Sequence, residues 1–133
     1  MNRRYGSVAA RAGHRCEYCR APEVLFNFRF EVEQIVPKSK RGSDEVSNLA
    51  LACHGCNLFK SDAETGTDPE TNEKVVLFHP RLNIWDEHFE FDAESGMIEG
   101  INPTGRATVA ELQMNNELQL VSRRWWIVLG LFP

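Results

Sequence analysis

The sequence predicts an α+β domain stapled by a metal. Two observations carry this. The chain holds four cysteines, arranged as Cys16-Glu-Tyr-Cys19 and Cys53-His-Gly-Cys56, with 33 residues between the pairs. Between and after them, short stretches of period-two hydrophobicity alternate with stretches of helical period. Each C-x2-C pair forms a tight knuckle that points two thiolates at one cation, the ligand set of a tetrahedral zinc site. No basic segment followed by an apolar run marks a secretory signal, so a reduced, cytoplasmic setting is expected and disulfides are disfavoured. Four thiolates leave no open position for a substrate, so this zinc is structural. It substitutes for core in a chain of 133 residues.

In chain order, "RRYGSVAARAG" predicts a short helix stopped by Gly13. After the first knuckle, "FNFRFEVEQIV" alternates, with Phe26, Phe28, Phe30 and Val32 on one face and Asn27, Arg29, Glu31 and Glu33 on the other. This predicts a half-buried strand ended by Pro37. "KSKRGSDEVSN" is a polar loop, and "LALAC" a short apolar strand entering the second knuckle. "NLFKSDAE" predicts a helix with Asn57 in its first turn. The stretch 63–74 is an acidic, turn-rich link. "KVVLFHPR" predicts a strand, and "HFEFDAESGMIEGIN" a hairpin turning at Glu94-Ser95-Gly96. "TGRATVAELQMN" predicts a helix capped by Thr104 or Thr108, with Val109 and Leu112 inward. "LQLVSRRWWIVLGL" predicts a last amphipathic helix. Residues 1–62 thus form a zinc-stapled core, and 63–133 a strand-helix extension packed on the same domain.

The formal net charge is −4, which argues mildly against a nucleic-acid partner. Its distribution is uneven. Residues 1–62 hold ten Lys/Arg against seven Asp/Glu, giving +3, and 63–133 hold five against twelve, giving −7. The basic excess lies in the half with the knuckles, and local charge governs phosphate contact. Lys38, Lys40, Arg41 and Lys60 are the candidate phosphate contacts. The run "WWIVLGLFP" is too short to span a membrane and offers core, or a surface for a second copy or another protein.

Residues 16–60 resemble the HNH endonucleases, through the CEYC knuckle, "EVEQIVPKSKRGSDEVSNLALAC" and the closing "CHGCNLFK". "LFHPR" and "PTGRATV" further resemble the C-terminal extension of a bacterial HNH subfamily. The resemblance implies a ββα-metal fold acting on DNA, with RNA not set aside. It implies that Glu33 and Asn57 hold the catalytic cation and that Asn48 braces the loop between the strands. It also puts the general-base histidine at position 34, where this chain has Gln34. Oxygen ligands of this kind suit Mg²⁺ or Mn²⁺. A glutamine amide orients water but does not take its proton near neutral pH. The expectation is therefore a metal-dependent DNA endonuclease with weakened or lost turnover. The alternatives are a binding module without catalysis and a structural or protein-interaction domain. His54 and His14 are the other candidate bases.

Overall fold

The computed structural model describes residues 2–133. Its centre is an antiparallel pair, β1 (Glu31–Gln34) and β2 (Leu49–Ala52), followed by helix α2 (His54–Lys60). Glu31 pairs with Ala52 and Gln34 with Leu49. Side chains alternate along a strand. Glu31 and Glu33 therefore share a face with Ala50 and Ala52, and Val32 and Gln34 share the other with Leu49 and Leu51. The acidic face meets α2. Helix α1 (Tyr5–Arg11) packs on β2, and Arg11 donates to the carbonyls of Val46 and Leu49 at 2.9 and 2.6 Å.

Asn48 fixes the long connection between the strands. Its Oδ1 accepts from Val36 N–H at 2.9 Å, and its Nδ2 donates to the carbonyls of Val36 and Ser43 at 3.0 and 2.8 Å. Gly42 passes so close that a Cβ there would lie 1.6 Å from the Val36 carbonyl oxygen, so only glycine fits.

Beyond α2 come two further antiparallel pairs, β3 (Thr65–Thr67) with β4 (Lys74–Val76) and β5 (Phe89–Phe91) with β6 (Ile98–Gly100). Helix α3 (Pro103–Glu111) packs on β6 and β3. Helix α4 (Glu117–Val128) ends the regular structure. The core joins both halves: Tyr18, Leu51, Phe78, Phe89, Ile98 and Leu112 are all buried.

Several elements differ from the sequence reading. The strand expected from Phe26 begins only at Glu31. Phe26, Phe28 and Phe30 form an edge-packed aromatic loop that also reaches Trp126. The carboxylate of Glu23 pins that loop by accepting from Phe30 N–H at 2.6 Å. Phe28 is consequently exposed, while Glu33, assigned to the polar face, is only 6% exposed. Two-residue alternation could not show that α2 covers the acidic face. Helix α2 starts at the knuckle, with Cys53 as its cap, and stops at Ser61, whose φ is +48°. The strand expected over "KVVLFHPR" is three residues long, because Leu77 and Phe78 turn into the core. Asn102 caps α3, accepting from Gly105 N–H at 2.8 Å. Thr108 instead lies buried inside the helix, accepting from Phe78 N–H at 2.9 Å.

Candidate metal centre and cleft

The four cysteine sulfurs lie within 4.8 Å of one another, and all four residues are buried. Cys19 and Cys53 Sγ are 3.7 Å apart. That is far beyond a disulfide and close to the ~3.8 Å edge of a tetrahedron with ~2.3 Å metal–sulfur bonds. The donor set therefore fits zinc. The capping geometry assists, since Cys53 Sγ accepts from Cys56 N–H and Cys16 Sγ from Cys19 N–H, each at 3.5 Å. Such amide bonds favour thiolates. Hydrogen bonding to Cys16 holds Cys19 and Cys56 above the usual thiol range and pulls Cys53 below it. A divalent cation bound there would hold the thiols deprotonated.

Residues of the extension clasp the first knuckle. Arg81 pairs with Glu17, whose other oxygen accepts from Leu51 N–H at 2.9 Å. Trp85 donates from its indole to the Tyr18 carbonyl at 2.7 Å. The Arg20 guanidinium lies 4.1 Å above the Trp85 ring, a cation–π contact.

A second polar cluster fills the space between β1 and α2. Glu33 accepts from the Tyr18 hydroxyl, and Lys60 Nζ sits 3.2 Å from its other oxygen. Burial pushes the Glu33 carboxyl above the usual range, against the pull of Lys60 and Tyr18. Lys60 also donates to the Ile35 carbonyl at 2.9 Å. One turn earlier, Asn57 donates to Glu31, and His54 Nδ1 lies 3.1 Å from the other Glu31 oxygen.

The structure thus brings Glu33 and Asn57 to one side of α2 but gives them different partners. Glu33 faces Lys60 and Tyr18, and Asn57 faces Glu31. Glu31 is the residue the sequence reading overlooked. Its spacing of two from Glu33 was the available signal, since it places both acids on one face. Gln34 lies at the end of β1, half-buried, on the opposite strand face. Lys38, Lys40 and Arg41 are exposed in the loop after β1. Lys60 is not with them. It is 2% exposed and ion-paired, so the expectation of a phosphate contact there is corrected to a buried counter-charge. His14 is held by Glu23 at 2.8 Å, which leaves His54 as the histidine beside the cleft.

The HNH endonuclease family model matches residues 16–63. Residues 16–63 are an HNH endonuclease domain. The match opens at the first knuckle and closes just after α2, so it contains all four cysteines, β1, β2 and the Asn48 brace. No curated protein and no solved structure matches the chain significantly. The match to this domain points to a nuclease or nucleic-acid-related function, and the four cysteines are placed to hold a metal such as zinc. Among the described residues, no helix is long and apolar enough to cross a membrane.

Proposed function

We propose that the protein is a metal-dependent HNH endonuclease acting on DNA, with turnover limited by Gln34. The observation that carries this reading is the convergence of Glu31, Glu33 and Asn57 between β1 and α2, inside the HNH domain. Oxygen donors on that face suit a hard cation. Glu33 and Asn57 would hold Mg²⁺ or Mn²⁺, which supplies charge on the scissile phosphate and an activated water when bound. To serve, Glu33 must release one of its partners. Lys60 is the natural one to yield, because a divalent cation replaces its charge. Asn48 holds the loop that bears Lys38, Lys40 and Arg41, and these exposed cations favour the phosphate backbone.

Gln34 supplies no base. A glutamine at this position leaves proton transfer to solvent, which forgoes roughly 10²–10⁴-fold in rate. The second reading is a DNA-binding module that no longer cuts. It is favoured by the same Gln34 and by the closed Glu33–Lys60 pair. Plasmid nicking in Mg²⁺ and Mn²⁺, by the protein and by its Gln34→His and Glu33→Gln variants, separates the two. Slow nicking that Glu33→Gln abolishes supports the endonuclease. Nicking by the Gln34→His variant alone supports the binding module. No nicking by any form removes the catalytic reading.

A further inference from the structure

Arg123 of α4 is fully buried and has no carboxylate among its described partners. Its Nη1 donates to the Gly96 carbonyl at 2.9 Å and to Asn115 Oδ1 at 3.3 Å, and its Nη2 to the Met114 carbonyl at 2.8 Å. All three acceptors are neutral. Its Nε is buried without a hydrogen-bond partner. Three other cations of the interior have acidic partners: Lys60 has Glu33, Arg81 has Glu17, and Arg106 has Asp68 and Glu70. A buried guanidinium with no opposing charge is strongly unfavourable.

Helix α4 runs beside the knuckles. It packs against the second of them, where a Cβ on Gly55 would sit 3.1 Å from Gln119 Nε2. One groove is lined by Cys53, His54 and Gly55 on one side and by Gln119, Ser122 and Trp126 on the other. Gln119 and Arg123 are four apart and share a side of the helix. Zinc held by four thiolates carries two net negative charges. We propose that Arg123 is the counter-cation of the zinc tetrathiolate, so that metal loading locks α4 and the extension onto the HNH domain. The direction of the Arg123 shift agrees: burial lowers its affinity for its proton, and the four cysteine sulfurs are what push it back up.

This inference rests on the zinc reading and not on cleavage. The test is zinc affinity by competition with a chromogenic chelator, for the protein and its Arg123→Lys and Arg123→Gln variants. Lysine keeps the charge, and glutamine keeps a donor without it. Arg123→Gln is expected to weaken zinc binding by about tenfold or more, the usual scale for a partner outside the ligand shell. Arg123→Lys should hold within a few-fold. Equal affinities, or glutamine holding zinc better than lysine, overturn the proposal. Hydrogen exchange on the unmodified chain gives a second readout that needs no variant to fold. On zinc removal, amides of 117–128 should lose protection together with those of both knuckles, and protection that persists in α4 alone overturns the proposal. A chain that binds no zinc at all would sink the zinc reading itself.

Discussion

Helix α2 serves two sites of opposite character. On one side Cys53 and Cys56 join the other knuckle in a closed, four-sulfur centre. On the other, Asn57 and Lys60 meet Glu31 and Glu33 in a polar cleft. The thiol site has one chemistry and no choice of partner. The cleft has several, because its acids are held by an amide, a phenol and an ammonium. On the proposed function, the first site is built for permanence and the second for exchange.

The largest effect should come from breaking the closed site. Strong chelation, or Cys56→Ser, is expected to abolish cooperative thermal unfolding, since structural zinc energy is folding energy. Calorimetry with and without added zinc checks this. In the cleft, Glu33→Ala leaves Lys60 buried and unpaired and should cost about 3–5 kcal/mol in denaturant unfolding. The double change with Lys60→Met should recover most of that loss. Asn48→Ala removes three hydrogen bonds and should cost about 2–3 kcal/mol while leaving the zinc content unchanged by metal analysis.

The pH response sharpens the contrast further. The Glu33 carboxyl is raised in the folded state, so that state binds the proton more tightly than the unfolded chain. Its contribution is present in acid and is lost as pH rises from the ordinary 4.5 through the raised value. Asp68 behaves oppositely. Arg106 holds its carboxyl far below the usual range, so its stabilisation is present above 3.8 and is lost as pH falls below it. Glu33→Gln should therefore flatten the stability curve above pH 4.5 and leave the acid limb in place. The smallest effect is expected on the surface, where each of Lys38→Ala, Lys40→Ala and Arg41→Ala should lower the slope of log affinity for DNA against log salt by about one, with little change in stability.

What the sequence revealed follows the same division. The four-cysteine cluster was fully legible, because cysteine pairs at fixed spacing have few other uses. The central strands, α2 and the Asn48 brace were visible through alternation and through the family resemblance. Partner choice was not. That Glu33 turns inward to Tyr18 and Lys60 depends on which face α2 covers, which neither strand spells out. Lys60 reads as a surface cation until that helix is placed. Asp68 and Arg106 stand 38 residues apart, and no local pattern joins them. Arg123 sits beside Arg124 in the sequence, and only tertiary packing separates the buried cation from its neighbour.

The most direct test of the whole account is the nicking rate of supercoiled plasmid in Mn²⁺ by the Gln34→His variant relative to the unmodified protein. The account predicts a gain of roughly 10²–10⁴-fold, with melting temperature and zinc content unchanged in Gln34→His itself, and the gain lost again when Glu33→Gln is added. A folded, zinc-loaded Gln34→His variant that nicks no faster would contradict it.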